Sequence, residues 1–281
     1  MKLSRRSFVL GGGAALAAAG LSLTGCNHYI GTKEARNEDA IKAMMVDSFS
    51  DFSYLGTANP TIASIGWHIF EALYDIDPVT NKVYPALAAD WSTDYGPYVS
   101  DIKIREDAKF SNGSLVLAGD VVYSFEVAKK KDSINFMLDF IEKVEVVDKN
   151  TVRIKTKTPL YGKFDERLSL VKIVQSTASI TEENNLPIGT GPYMITEMDG
   201  NPGGVVKLSP NGLYNGPLGK ATNKIELRIN PEEDARAAEV ISGAASVCED
   251  LPLDKVEDAR NISFPNFIEA LSEIGVFLCL N

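Results

Sequence analysis

Few side chains of this chain stand at spacings that could carry a reaction. The two histidines, His28 and His68, each lack a second His or a Cys at ligand spacing, so no metal site is expected. Gly189-Thr190-Gly191 has the composition of a phosphate cradle. It lacks the Gly-Lys-Ser/Thr ending of a P-loop and the wider spacing of a dinucleotide fingerprint, and reads as a tight turn. No G-x-S-x-G elbow and no H-E-x-x-H pair occurs, which removes the commonest acyl-transfer and zinc-protease signatures. Glu232-Glu233 falls at a helix start and Glu182-Glu183 in a loop, positions where paired carboxylates are solvated rather than set as acid and base. Neither enzymatic activity nor a cofactor is expected. Binding is the better lead, because Tyr54, Trp67, Phe70 and Tyr74 crowd one short stretch. Ligand clefts combine aromatic walls with a few polar or backbone contacts. Core packing accounts for Trp67 and Phe70 equally well, and Trp91 is expected in the core.

The elements that must position these residues follow from the hydrophobic period. Ile41, Ala43 and Met45 alternate with Lys42, Met44 and Val46, which predicts a strand. Ile62, Ile65, Ile69 and Leu73 recur at near-helical spacing and predict a helix over 62–74. A turn follows at Asp77 to Asn81, then a strand over 98–105 with Ile102 and Ile104 inward. After the turn Ser111-Asn112-Gly113, a helix is expected over 120–129, with Val121, Phe125 and Ala128 on one stripe. Lys129 to Lys131 sit where positive charge complements the helix dipole. The runs 141–147 and 151–156 flank Asp148-Lys149-Asn150 as a β-hairpin. Further strands are expected at 194–195, 205–208, 224–229 and 275–280. A helix over 231–242 has Asn230 as N-cap, Pro231 at its first position, Glu233 completing a capping box and Gly243 ending it. Strands and helices alternate irregularly, which favours a mixed α/β (α+β) architecture with more than one subdomain.

Before all of these, Lys2, Arg5 and Arg6 precede an uncharged Gly/Ala/Leu run from Val9 to Leu23. That is the make-up of an export signal over residues 1–25. The run is short and rich in small residues for a membrane span. Leu23-Thr24-Gly25-Cys26 resembles the bacterial lipobox, which implies lipidation of Cys26. Acyl chains contribute about 0.8 kcal/mol per buried CH2 and would hold the chain on a bilayer. Ser4-Arg5-Arg6-Ser7-Phe8-Val9 is similar to a twin-arginine signal, and an Arg pair suits the general secretory route as well. Residues 26–40 are polar and aperiodic, as a tether would be. The expected place is the cell envelope, at the outer face of the cytoplasmic membrane or in the periplasm. The formal charge of −10 deepens once the basic signal is removed, which argues against nucleic acid or anionic lipid as the main partner. Cys248 and Cys279 could form one disulfide in an oxidising compartment, but nothing in the sequence brings them together, and they read as two free, buried thiols.

The order of motifs matches a family. Pro85-Ala86-Leu87-Ala88-Ala89-Asp90-Trp91 resembles the PALA-x-x-W segment of extracellular solute-binding proteins family 5. These are the oligopeptide-, dipeptide- and nickel-binding lipoproteins of ABC importers. Ile102 to Arg105, followed by Ala108 to Gly113, is similar to that family's strand and turn, and Asp120 to Glu126 to its next helix. Val144 to Ile154 resembles its hairpin, Pro187 to Tyr193 its P-x-GTGPY loop, and Asp234-Ala235-Arg236 through Gly243 its ARxxxxxxG helix. Ala118 stands where the family usually has a Thr as helix N-cap, a loss of roughly 1 kcal/mol.

The resemblance implies a periplasmic-binding-protein-like type II fold and capture of a small-molecule or peptide ligand between two closing lobes. It implies delivery of that ligand to ABC importer permease subunits, with the membrane held through the N-terminal lipid. Lobe one would comprise 41–75 and 166–270, with an inserted subdomain at 76–165 and a crossover beginning at 271–281. The chain would then be about the first half of such a protein, the second lobe missing. Tyr54, Trp67, Phe70, Gly189, Thr190, Gly191 and Tyr193 would lie near the cleft. A truncated, non-transporting remnant or interaction lipoprotein of the same ancestry is the alternative.

Overall fold

The computed structural model describes residues 40–55, 57, 59–77, 80–159, 164–177, 186–221 and 223–261. The signal region with Cys26, the tether with His28, Glu182-Glu183, and the last expected strand with Cys279 lie outside them.

Strand β1 (Ala40–Met45) starts where the apolar alternation begins, and Ala43, Met44 and Met45 are all buried. Helix α1 (Pro60–Ile69) is opened by Asn59, whose Oδ1 accepts the Ile62 N–H at 2.9 Å, with Pro60 at its start. Both devices satisfy or avoid orphan donors of the first turn. The helix ends at Ile69 rather than running to residue 74, and Phe70 is already extended. Ile69, Phe70, Ala72, Leu73 and Tyr74 are all buried, and a helix would spread such a run around its circumference. Side chains replace the lost helical bonds: Thr190 Oγ1 accepts the Glu71 N–H at 3.0 Å and Asp75 Oδ2 accepts that of Ala72 at 3.0 Å. The chain passes directly into β2 (Tyr74–Ile76), antiparallel to β3 (Val83–Pro85).

Next come β4 (Thr93–Asp94), β5 (Val99–Lys103), helix α2 (Ala118–Ala128), β6 (Ile141–Asp148) and β7 (Thr151–Thr156). The four strands form an antiparallel sheet in the order β4-β5-β7-β6. The expected stripe of α2, Val121, Phe125 and Ala128, packs with Ile102, Ile104, Val152 and Ile154 in one core. Leu117, not Ala118, is the N-cap of α2. Ala118 is the first helical residue, so no cap bond is lost there. Asp120 does the work instead, accepting the Leu117 N–H at 2.9 Å and the Ser176 N–H at 2.8 Å.

Short helix α3 (Phe164–Leu168) leads to β8 (Tyr193–Met198), β9 (Val205–Pro210), β10 (Lys224–Ile229), helix α4 (Glu233–Ile241), β11 (Val247–Cys248) and α5 (Val256–Asn261). A second sheet has the order β11-β1-β10-β9-β8. In it β1 lies parallel to both β10 and β11, while β9 is antiparallel to β8 and β10. Its core holds Ile65, Ile69, Phe70, Val206, Leu208 and Leu227.

Helix α4 departs from expectation at its start. Glu232 is the N-cap and makes no side-chain cap bond, so the expected capping box is absent. Asn230 Oδ1 instead turns the chain ahead of the helix, accepting the Glu232 N–H at 3.0 Å. The carbonyls of Asn230 and Pro231 are taken by Arg236, which draws them out of helical register. Gly243 ends the helix at φ 76°, a conformation that Gly adopts without strain.

Trp91 is not a core residue. It is 51% exposed, and its indole lies flat on Tyr74 with ring centroids 5.8 Å apart. The Trp covers the barrel of the Tyr side chain at the surface, so its own outer face stays in water. Cys248 is free and half-buried. Among the described residues no helix is long and apolar enough to cross a membrane.

Candidate functional site

The seven residues expected near a cleft converge on the last turn of α1. Tyr54 packs on Phe70 with ring centroids 5.1 Å apart. Tyr193 meets His68 edge-on at 5.7 Å, and His68 Nδ1 bonds the Ser64 carbonyl at 2.8 Å. The loop 189–191 lies against the same turn: the Gly191 N–H donates to Ile69 O at 2.9 Å. A Cβ on Gly189 would stand 1.8 Å from Ile69 O, and one on Gly191 2.5 Å from His68 O. Glycine is required there by close approach of two backbones rather than by a phosphate. Gly189→Ala is accordingly expected to lower stability by about 3 kcal/mol, seen as a fall in the thermal midpoint by circular dichroism. An unchanged midpoint would mean the two backbones part without cost.

Burial sorts the seven into two groups. Phe70 and Thr190 are buried, as are Gly189 and Gly191, and they build the scaffold. Trp67 is 46% exposed, and Tyr54 and Tyr193 are half-buried, so these three offer aromatic surface. Burial pushes the Tyr54 hydroxyl well above the ordinary phenol range, with the Asp75 charge adding to it, so it is a neutral donor and acceptor. A recess of about 170 Å³ opens beside this group, lined by Phe52, Tyr54, Phe70, Tyr123 and Val174 among others.

Under Trp67 lies a group that the sequence reading missed. Lys172 Nζ sits 3.9 Å from the centre of the indole ring and forms an ion pair with Asp75. Lys172 is 2% exposed and Asp75 3%. Burial pushes the lysine's pKa down and the aspartate's up, each opposed by the other's charge. The ammonium fixes the Trp67 ring from below by cation–π attraction and leaves its outer face to solvent. One signal was readable: Lys172 interrupts the apolar run Leu170 to Val174, where a charge needs a partner.

A second constellation gathers at the carboxyl ends of the parallel strands, where open α/β sheets place their crevice. The Val46 N–H donates to the Glu249 carboxylate at 3.1 Å, joining the ends of β1 and β11. Arg236, 1% exposed, donates to the carbonyls of Asn230, Pro231, Glu249 and Asp250 at 2.8–3.2 Å. The guanidinium is thus a rivet between the loops after β10 and β11. Among the described residues no group of His, Cys, Asp or Glu could hold a metal ion.

This arrangement positions aromatic faces over a fixed scaffold. The profile described as bacterial extracellular solute-binding proteins, family 5 Middle, matches residues 82–281. The chain belongs to this family. Among curated relatives, nickel-binding protein NikA of Staphylococcus aureus is 26% identical over 163 residues, covering 57% of this chain and 32% of NikA. Peptide transport periplasmic protein SapA of Salmonella typhimurium is 25% identical over 180 residues, covering 51% of this chain and 33% of SapA. Among solved structures, the unliganded open form of the periplasmic murein tripeptide-binding protein MppA superposes with a TM-score of 0.69 at 19% identity. That match covers 80% of this chain and 48% of MppA. The fold is that of the type II periplasmic binding proteins. The chain matches about a third of the length of these curated family 5 relatives and just under half of the solved one.

Proposed function

We propose that this chain is the ligand-capturing first lobe of an exported solute-binding lipoprotein, anchored through Cys26, that serves an ABC importer permease. Its ligand is a small molecule, with a short peptide as the first choice. The lobe divides into 41–75 with 166–270, and an inserted subdomain at 76–165. Capture needs no chemistry: a ligand that binds the closed form better than the open form shifts the balance between them. The observation that carries this reading is the exposed face of Trp67, held on the buried Lys172 ammonium. A fixed aromatic face gives contact area at little entropic cost, as ligand clefts require.

Trp67 and Trp91 are the two tryptophans of the chain, so fluorescence can follow the first in a Trp91→Phe background. Titration with di- to pentapeptide mixtures should change its emission saturably. Trp67→Ala should weaken that binding about tenfold or more in calorimetry, the loss expected of an aromatic anchor. A folded chain that binds no peptide at millimolar concentration would instead support the remnant or interaction lipoprotein of the same ancestry.

A further inference from the structure

Two carboxyls and one ammonium share the interior next to the last turn of α1. Glu71, like Asp75, is 3% exposed. Lys172 is committed to Asp75, which leaves Glu71 with a neutral partner. The Tyr214 hydroxyl donates to Glu71 Oε1 at 3.1 Å. Arg105 is turned elsewhere, donating to the carbonyls of Ala86 and Asn215 and to Asp107. Among the described residues no cation pairs directly with Glu71, although the Arg105 charge acts on it through space, and Glu71 is the group a proton would neutralise.

Tyr214 belongs to the loop 211–219, which runs from β9 toward β10. Within it the Leu218 N–H donates to the same hydroxyl at 3.3 Å. Asn211 Nδ2 holds the Gly191 carbonyl at 2.9 Å, and Asn215 Nδ2 holds that of Asp107 at 2.9 Å. One loop thus ties the five-stranded sheet, the 189–191 turn and the antiparallel subdomain together, with the Glu71–Tyr214 contact at its buried centre.

We propose that Glu71 and Tyr214 form a pH-sensitive latch, which holds the loop 211–219 down in acid and loosens it as Glu71 ionises. Burial pushes the Glu71 carboxyl from 4.5 up to about 7, with Asp75 adding to the rise and Arg105, Tyr214 and Lys172 opposing it. Tyr84 also faces this carboxylate, its own hydroxyl pushed up chiefly by burial. The loop itself covers this carboxyl, since a Cβ on Gly216 would stand 2.6 Å from Glu71 Oε1, so lifting the loop returns water to the group. The Tyr214 bond favours the ionised form but burial outweighs it, and the closed form therefore holds its proton more tightly than the open one. Latch stability is complete below the ordinary carboxylate value, falls as pH rises toward 7, and is level above it.

Amide hydrogen exchange on the full chain, corrected for the intrinsic rate, tests this between pH 5 and pH 8. The Leu218 and Tyr214 amides should lose protection by about tenfold per pH unit up to pH 7 and then hold steady. The amides of Val206 and Leu208 in β9 should keep theirs, and Glu71→Gln should flatten the profile. A flat wild-type profile, an unaltered profile in Glu71→Gln, or a parallel change in β9 would each overturn the latch. Should Glu71→Gln not fold, carbon NMR titration of the wild-type carboxyl decides: a midpoint near 7 supports the latch and one in the ordinary range removes it.

Discussion

Lys172→Met is expected to lower the unfolding free energy by about 3–5 kcal/mol, because it strands a buried Asp75 carboxylate without its cation. Urea unfolding at pH 7.5 would read this as a lower midpoint at unchanged slope. Asp75 can escape part of the penalty by taking a proton, so the loss should shrink at pH 5. The paired change Lys172→Met with Asp75→Asn should restore much of the stability, since it removes the unpaired charge and keeps an oxygen for the Ala72 N–H. A single variant as stable as the wild type would mean that water reaches Asp75 and replaces the lysine. The same variant frees the underside of Trp67, whose emission should then broaden and become more accessible to quenchers.

Arg236→Met is expected to be comparably severe, about 3–5 kcal/mol, through a different cause. Four carbonyls, those of Asn230, Pro231, Glu249 and Asp250, lose their donor together. The four bonds are part-buried, so each acceptor left unmade costs about 1 kcal/mol, water taking over where the loops admit it. Arg236→Lys should not rescue the loss, because an ammonium cannot present donors in the planar fork that reaches both loops. Amide exchange should rise first in β11 and the start of α4, the segments riveted by this side chain. Full stability in the Lys variant would show that one or two of the four bonds suffice.

Most of the fold was legible where a single period dominates a segment. The strand at 40–45, helix α2 with its Val121, Phe125 and Ala128 stripe, and the β6–β7 hairpin follow from local pattern alone. The failures share a cause, since each involves a distant group that outbids a local rule. Leu73 lies on the helical stripe of Ile62, Ile65 and Ile69, yet α1 stops because Thr190 and Asp75 take over its next donors. Asn230 and Pro231 form a good helix start, yet Arg236 claims their carbonyls. Trp91 is apolar enough for a core, yet its place there is occupied by Tyr74. For the candidate site, aromatic type and crowding pointed to Trp67 and Tyr54 and the motif loop to Gly189 through Tyr193, and the structure brings both stretches to the last turn of α1. Nothing local marks Glu71, Asp75 or Arg236 as partners, because their contacts lie far away along the chain.

The position of β1 constrains the order in which this molecule can assemble. It is an inner strand, parallel on both sides, and the residue just after it, Val46, bonds Glu249 across 203 positions of sequence. The first of the described strands to be synthesised is therefore among the last to find neighbours. The hairpin β6–β7 and the β8–β9–β10 meander can close from nearby segments, and the slot between β10 and β11 must wait. Until then β1 has two bare edges and an apolar face, the species that chaperones hold and that aggregates when crowded. The rate at which the chain folds should accordingly be set by insertion of residues 40–45. A peptide of that sequence, added during refolding, should compete for the slot and slow the recovery of native structure.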